Sequence, residues 1–151
     1  MRPEAEAREI FIVDHIGSNI PPLMMDGGKV RRVITHLLMN SLKFTHFGGW
    51  VELTVRWDER TRGLTIQVAD NGEGIAPEHQ DKVFDKFFRV KEHQGDRVFS
   101  SGLGLAYCRM VAEAHGGSIE VESTVGKGSQ FTLQIPAPLA TVTENTYMLA
   151  A

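Results

Sequence analysis

Four short segments of the chain alternate apolar and polar residues, and they form two pairs that are each interrupted by a turn. The first pair occupies residues 51–57 and 64–68, on either side of a turn-like stretch at residues 58–63. The second pair occupies residues 119–122 and 131–135, with Gly126-Lys127-Gly128 between its members. Alternation with a period of two is typical of strands that bury one face, and a short turn between two such strands predicts a hairpin. The chain therefore contains two hairpins whose apolar faces need a cover.

Two helical segments can provide that cover. Asp26 is a suitable N-cap for a helix that runs to about Phe44. Its apolar residues recur at steps of three and four and form one stripe: Val30, Val33, Ile34, Leu37, Leu38 and Leu42. A second helix is predicted over residues 103–114, before Gly116-Gly117, and a further strand over residues 9–14. The pattern indicates the α+β class and a two-layer sandwich.

The length of the chain fits a single domain, and its charge does not indicate a nucleic-acid partner. The 151 residues carry a formal charge of −3. The chain has one Cys, and a single Cys excludes a disulfide scaffold. Cys108 is predicted to be a buried small apolar residue. The balanced charge argues against nucleic acid, and no apolar run is long enough to span a membrane. We expect a cytoplasmic domain at residues 9–136 without membrane contact, a charged lead-in at residues 1–8, and a tail or linker at residues 137–151.

One face of the helix that follows Asp26 is polar. Its five polar side chains lie within about 40° of a common line on a helical projection. They are Lys29, Arg32, His36, Asn40 and Lys43. This polar stripe is either a set of groups that address one ligand or a solvated helix face.

A carboxylate stands at the end of an apolar strand, in Asp70-Asn71-Gly72-Glu73-Gly74-Ile75. Because a carboxylate only accepts hydrogen bonds, it suits an exocyclic amino group such as that of adenine. The two glycines would let the backbone approach a flat ligand closely. An ordinary Asp-Asn-Gly turn explains the same residues.

The second glycine cluster, Ser100-Ser101-Gly102-Leu103-Gly104-Leu105, opens a helix directly after a long polar segment. Free N–H groups and the positive end of the helix dipole can hold phosphate oxygens there. The alternative is a serine-capped helix with small residues for close packing. Between the glycine clusters, Phe84, Phe87 and Phe88 are expected to pack, and Arg89 can neutralise a terminal phosphate.

These motifs occur in a particular order: Asn40, Asp70-x-Gly72-x-Gly74, Phe84 to Phe88, Gly102-x-Gly104 and Gly126-x-Gly128. In that order they resemble the catalytic ATP-binding domain of sensor histidine kinases, a group that also includes gyrase, the Hsp90 chaperones and MutL. The resemblance covers about residues 9–136. It implies the Bergerat ATP-binding fold, with a mixed, mostly antiparallel sheet, about three covering helices and a mobile ATP lid.

The resemblance also implies roles for individual residues. Asn40 would bind Mg²⁺, Asp70 would hold the adenine amino group, and residues 89–101 would form the lid. Lys43 and Arg89 would join Asn40 in catalysis. The residues expected to contact the nucleotide are Asn40, Lys43, Phe44, Asp70, Gly72, Gly74, Ser101, Gly102, Leu103, Gly104 and Leu105. The implied cofactors are ATP and Mg²⁺.

The chain departs from the family at several points. His36 stands where the kinases usually have Asn and the gyrase-like ATPases have a catalytic Glu, and Ser100-Ser101 replaces Gly-Thr. No His has the context of a phosphoacceptor, although His115 precedes two glycines, where we expect a structural role. The expected partner is therefore a histidine phosphoacceptor and dimerisation domain of the same or parent kinase, with a response regulator receiver domain acting indirectly. The isolated domain is expected to be a monomer.

The motifs of the sequence are compatible with three functions. The first is a kinase domain that transfers the γ-phosphoryl group of Mg-ATP to a histidine elsewhere. The second is a nucleotide-sensing or docking module without phosphotransfer, which His36 and Ser100 favour. The third, a self-contained ATPase, is disfavoured because position 36 has no Glu.

Overall fold

The computed structural model describes residues 2–88 and 103–138. Its helices are α1 (Arg2–Ala7), α2 (Gly27–Phe44), α3 (Pro77–Gln80) and α4 (Gly104–Ala114). Its strands are β1 (Phe11–Ile16), β2 (Trp50–Asp58), β3 (Gly63–Asp70), β4 (Ser118–Thr124) and β5 (Gly128–Pro136). Both hairpins and both long helices agree with the predicted segments, and the first strand begins two residues later than predicted.

The strands form one mixed sheet in the order β1-β2-β3-β5-β4. Only the β1–β2 pair is parallel, and the other three pairs are antiparallel. The sheet places β3 in the centre, so the carboxyl end of the middle strand carries Asp70. The fold is the α+β sandwich that the sequence predicted.

The core lies between one face of the sheet and the two long helices. Side chains of β2, β3 and β5 alternate in burial, as expected for a sheet with one covered face. The largest fully buried side chains are Phe131, Leu23, Leu37, Leu42, Leu64, Ile66, Leu133, Ile135, Val30, Val33, Val51 and Val68. Since Val30, Val33, Leu37 and Leu42 come from α2, its apolar stripe is the helix face that packs on the sheet.

Two predicted structural residues join α4 to α2. Cys108 is fully buried, its Sγ lies 3.8 Å from the carbonyl oxygen of Val33, and burial raises the pKa of its thiol to about 12. The amide of Asp26 donates to Nε2 of His115 at 3.0 Å. The proton of the ring therefore lies on Nδ1, which donates to the carbonyl of Val111 at 2.8 Å. Both residues have the structural roles that the sequence predicted.

The two ends of the described chain contact the rest of the domain, whereas the predicted lead-in at residues 1–8 and tail at residues 137–151 stay a prediction. Ala5 of α1 is buried, and the guanidinium group of Arg8 donates to the carbonyl oxygens of Leu42 and Thr45 at the carboxyl end of α2. At the other end, Ala137 is buried and its amide donates to the carbonyl of Arg62. Both segments show weak periodicity in the sequence, which therefore gave no sign that Ala5, Arg8 and Ala137 make these contacts.

The three aromatics after α3 do not all pack as expected. Phe84 is buried with its ring 6.0 Å from that of Phe131, and Phe88 is half-buried against His79. Phe87 instead is 71% exposed, and its backbone has a left-handed φ of 66°. The expectation of packing is wrong for this residue. In the described part of the chain, no helix is both long and apolar enough to cross a membrane.

Replacing Arg8 by Ala tests whether the start of the chain stabilises the fold. The change removes two hydrogen bonds from a cation to the carboxyl end of α2, where a positive charge also interacts favourably with the helix dipole. We expect the free energy of unfolding to fall by about 2 kcal/mol. Urea denaturation measures it, with Glu6→Ala on the exposed side of α1 as the control. Equal stability of the two variants would contradict the role of Arg8.

Candidate functional site

Asp70 ends the central strand and turns its carboxyl group toward α2. The side chain is buried at 6% exposure, and β3 places it opposite Val51 of β2 and Ser129 of β5. Its Oδ1 accepts a hydrogen bond from the amide of Gly72 at 2.9 Å and another from the amide of Ser129 at 3.3 Å. Both amides donate to the same oxygen, so Oδ2 is available to a further donor.

The environment of Asp70 disfavours its charge. Burial raises the pKa of the carboxyl group, and the Gly72 amide, the Ser41 side chain and the Ser129 amide lower it by smaller amounts. A ligand N–H that donates to Oδ2 would favour the charged form further. The site is therefore suited to a ligand that brings a hydrogen-bond donor.

The glycines of the Asp70 loop are required by neighbouring backbone. A Cβ on Gly72 would lie 2.2 Å from the carbonyl oxygen of Phe44 at the end of α2. Gly74 has a φ of 76°, and a Cβ there would lie 2.2 Å from the carbonyl oxygen of Thr124. The backbone of the loop thus packs closely against α2 on one side and against the end of β4 on the other. These contacts with protein backbone explain the two glycines, and close approach to a ligand stays a prediction.

The polar stripe of α2 changes character along the helix. Lys29 and Arg32 are exposed, whereas His36, Asn40 and Lys43 are half-buried. Its first part is thus a solvated face, and its second part is partly covered by neighbouring residues. Lys43 places Nζ 5.1 Å from the ring centroid of Phe44, so the two expected ligand contacts lie beside each other.

His36 packs against the start of α4. A Cβ on Gly104 would lie 3.2 Å from Nδ1 of His36, so glycine leaves room for the imidazole. The ring also contacts Tyr107 edge-on at a centroid distance of 5.4 Å, and the Arg32 guanidinium lies 5.7 Å from the same tyrosine ring. Burial lowers the pKa of His36, and the charge of Arg32 lowers it further. The neutral imidazole is therefore the favoured form at pH 7.

The amino end of α4 has backbone N–H groups that no side chain of the described residues caps. Its N-cap residue is Leu103, which makes no side-chain capping bond. Ser100 and Ser101 lie outside the described residues, so the alternative of a serine-capped helix stays open. Leu103 is 40% exposed, and Leu105 is half-buried against the core. Free N–H groups in the first turn of a helix bind anions, and here that turn lies beside His36.

Ser41 is a polar residue of the site that the sequence interpretation missed. Its side chain is fully buried on α2, and Oγ makes no hydrogen bond of ordinary geometry with the described residues. It lies close enough to Asp70 to lower the pKa of that carboxyl group. The signal was present in the sequence, because Val33, Leu37 and Ser41 are spaced by four residues on the core-facing side of the helix.

The structure brings expected residues together at two places along α2. At its carboxyl end Gly72 of the Asp70 loop lies against Phe44, and further toward its amino end Gly104 of α4 lies against His36. Asn40 and Lys43 lie on α2 between these two places. Arg89, Ser101 and Gly102, with the rest of the expected lid at residues 89–101, lie outside the described residues. With a rise of 1.5 Å per residue, α2 separates His36 from Phe44 by about 12 Å. A ligand that reaches both places therefore spans about this distance.

Sequence comparison finds relatives among bacterial sensor kinases. The chain is 39% identical over 105 residues to the sensor histidine kinase RppB of Synechocystis sp., a match that covers 70% of this chain and 23% of RppB. It is 38% identical over 113 residues to the sensor protein SrrB of Staphylococcus aureus, covering 75% of this chain and 19% of SrrB. The chain thus spans about a fifth of the length of the curated relatives that it matches.

Solved structures share the fold. Full-length ShkA in complex with AMPPNP superposes with a TM-score of 0.79 at 29% identity, over 93% of this chain and 28% of ShkA. The catalytic domain of the histidine kinase ThkA gives a TM-score of 0.75 at 26% identity, over 89% of this chain and 84% of that domain. Residues 25–139 match the family model described as histidine kinase-, DNA gyrase B-, and HSP90-like ATPase. The chain belongs to this ATPase family, and within it to the ATP-binding catalytic domains of sensor histidine kinases.

Proposed function

We propose that this domain binds ATP together with Mg²⁺ and transfers the γ-phosphoryl group to a histidine on a separate phosphoacceptor and dimerisation domain of the parent kinase. The observation that carries the proposal is the buried carboxylate of Asp70, which accepts both backbone hydrogen bonds on Oδ1 and leaves Oδ2 for a ligand. The relatives RppB and SrrB, named as sensor proteins, support this function, as does the AMPPNP complex of ShkA.

Asp70 selects the base. Oδ2 accepts a hydrogen bond from the exocyclic amino group of adenine, because an ionised carboxylate has no proton to donate. Guanine carries a carbonyl oxygen at the corresponding position, and two acceptors facing each other in a buried site repel. This pairing favours ATP over GTP.

The phosphates bind at the start of α4. The N–H groups of its first turn donate to phosphate oxygens, where the positive end of the helix dipole also favours them. Lys43 and Arg89 are expected to contribute positive charge, and Ser101 and Gly102 to contribute further contacts with the nucleotide. Because His36 is favoured in its neutral form, its imidazole can donate one hydrogen bond to a phosphate oxygen without adding a charge.

Asn40 is the residue that fits a magnesium ion. Its half-buried amide lies between His36 and Phe44 on the polar stripe, and its oxygen is a ligand that Mg²⁺ accepts. Mg²⁺ retains several waters and needs few protein oxygens, so a single asparagine suffices in a nucleotide site. When bound, the ion neutralises phosphate charge during transfer.

The chain's own residues position the substrate for transfer. A nitrogen of the incoming acceptor histidine forms a bond to the γ-phosphorus, the bond to the β,γ-bridging oxygen breaks, and ADP leaves. Asp70 holds the base and the start of α4 holds the phosphates, so that this displacement proceeds in line. Hydrolysis by the domain alone is disfavoured, because position 36 carries an imidazole where a carboxylate base would activate water.

Labelling with γ-labelled ATP tests the transfer. We expect no label on this chain alone, and label on the histidine of the parent kinase's phosphoacceptor domain when that domain is added. Asp70→Asn should abolish the transfer, because its amide presents an N–H group to an amino group that also donates. Acid-labile label on the isolated chain, or steady phosphate release that His36→Ala abolishes, would contradict the proposal.

Replacing Asn40 by Ala tests the metal site. We expect the variant to bind ATP without Mg²⁺ about as well as the wild type and to lose most of the additional affinity that Mg²⁺ provides, because the metal loses its protein oxygen. Calorimetric titration with AMPPNP, with and without Mg²⁺, measures both affinities. Met39→Ala is the control, since Met39 is the exposed neighbour on the same helix. If Mg²⁺ improves binding equally in both variants, Asn40 is not a ligand.

The ionisation of His36 can be measured directly. Its burial and the nearby charge of Arg32 predict a titration midpoint below 6.5 in the folded chain. Since the unfolded chain takes up this proton at higher pH than the folded chain, the contribution of His36 to stability is present above pH 6.5 and decreases as the pH falls below it. NMR titration of the imidazole signal, assigned with His36→Asn, gives the midpoint. A midpoint at or above 6.5 would mean that the ring is not desolvated against α4.

A further inference from the structure

The side chain of Tyr107 on α4 contacts two residues of α2 that lie one turn apart. Its ring meets the imidazole of His36 in an edge-to-face arrangement, with ring centroids 5.4 Å apart and ring planes inclined by 63°. The guanidinium carbon of Arg32 lies 5.7 Å from the centroid of the same tyrosine ring. Side chains four residues apart lie on one face of a helix. Arg32 and His36 therefore present one surface of α2 to α4, and Tyr107 packs against it.

Tyr107 is fixed to the first turn of α4 by its backbone. Its amide donates to the carbonyl oxygen of Leu103, the N-cap residue, at 2.9 Å. Its half-buried side chain also packs against the hydrophobic core. The position of the tyrosine ring is therefore set by the helix start and by the core together.

Gly104 confines the imidazole of His36 on a second side. A Cβ at position 104 would lie 3.2 Å from Nδ1 and 3.6 Å from Cγ of His36, so only glycine gives the ring this room. No described residue forms a hydrogen bond with the imidazole, so its contacts with Gly104 and Tyr107 define where it lies. Because Nδ1 faces Gly104, Nε2 is the ring nitrogen that is left for a ligand.

We propose that Tyr107 is a positioning residue for the phosphates of the nucleotide: it holds the imidazole of His36 against the first turn of α4, so that Nε2–H donates to a phosphate oxygen bound there. This inference rests on the proposed function and deepens it, because it names the side chain that orients His36. A side chain that is already held in its binding position loses little rotamer freedom when the ligand arrives. Tyr107 therefore raises the affinity for phosphate through His36, without touching the nucleotide.

Tyr107→Leu tests the proposal, because it removes the ring and keeps an apolar side chain on the core. Calorimetric titration should show ADP binding weakened by about two- to tenfold, the range expected when one hydrogen bond is lost. Tyr107→Phe keeps the ring and its contacts with Arg32 and His36, so it should bind ADP as the wild type does. Met110→Ala is the control on the exposed side of the same helix and should also leave ADP binding unchanged.

Adenosine is the matched ligand, since it has the same base and no phosphate. Its affinity, measured by NMR titration of the amides of the Asp70 loop, should be equal in the wild type and in Tyr107→Leu. Equal affinity for adenosine also shows that the variant is folded. A loss that is as large for adenosine as for ADP would overturn the inference, because it would mean that Tyr107 acts on the whole domain.

His36→Ala separates positioning from packing. If Tyr107 acts through His36, the His36→Ala variant also binds ADP more weakly, and adding Tyr107→Leu to it weakens ADP binding no further. If Tyr107 only packs α4 on α2, the loss caused by Tyr107→Leu is the same with and without His36. That second result would overturn the inference.

The wild type distinguishes a failure of this inference from a failure of the proposed function. A wild-type chain that binds ADP no more tightly than adenosine, or binds neither, overturns the proposed phosphate site and this inference with it. A wild-type chain that prefers ADP, but whose affinity for ADP is unchanged in Tyr107→Leu, overturns the inference alone, and the proposed function stands.

Discussion

The close backbone contact at the end of β3 is the constraint on which the site depends. The Asp70 loop meets the last turn of α2, where the amide of Glu73 donates to the carbonyl oxygen of Phe44 at 3.1 Å. A Cβ on Gly128 would lie 1.9 Å from the carbonyl oxygen of Asp70, so β5 also approaches as closely as backbone permits. Helix and central strand are thereby held at a spacing that side chains larger than hydrogen would not allow. This spacing places the Asp70 loop directly against the carboxyl end of α2.

Asp70 and His36 lie in different electrostatic environments at two places along α2. At its carboxyl end, Asp70 is buried and no side chain provides it with a full countercharge among the residues described. Further toward the amino end, His36 is only half-buried and lies against the first turn of α4. Burial acts on both groups in the same way, since it favours the neutral form of each. At pH 7 the neutral form suits His36, whereas Asp70 needs hydrogen-bond donors to remain an acceptor. The two ends therefore need different support from their neighbours.

Periodicity in the sequence was sufficient for the two hairpins, the first strand and the two long helices, but not for α1 and α3. The alternation around residues 58–63 and the stripe that includes Val33 and Leu37 correspond to the hairpin and to the buried face of α2, because each depends on neighbours close in sequence. Arg8 and Ala137 were missed because their partners, Leu42 and Arg62, lie far along the chain. Phe87 was assigned to packing on composition, but it is exposed and has a backbone conformation that composition does not indicate.

The glycine motifs and the polar residues carry different information. Gly72, Gly74 and Gly128 are each required by a neighbouring carbonyl group, so a chain that had lost its ligand but kept this fold would still need them. A resemblance to the family that is based on these glycines is therefore evidence for a shared fold, and not in itself for a shared ligand. Asp70 and Ser41 are different, because burying a carboxyl group, or a hydroxyl without a partner, destabilises the fold. Folding alone would favour apolar residues at both positions, so these two residues, and not the glycines, are the evidence in this part of the chain that bears on a ligand.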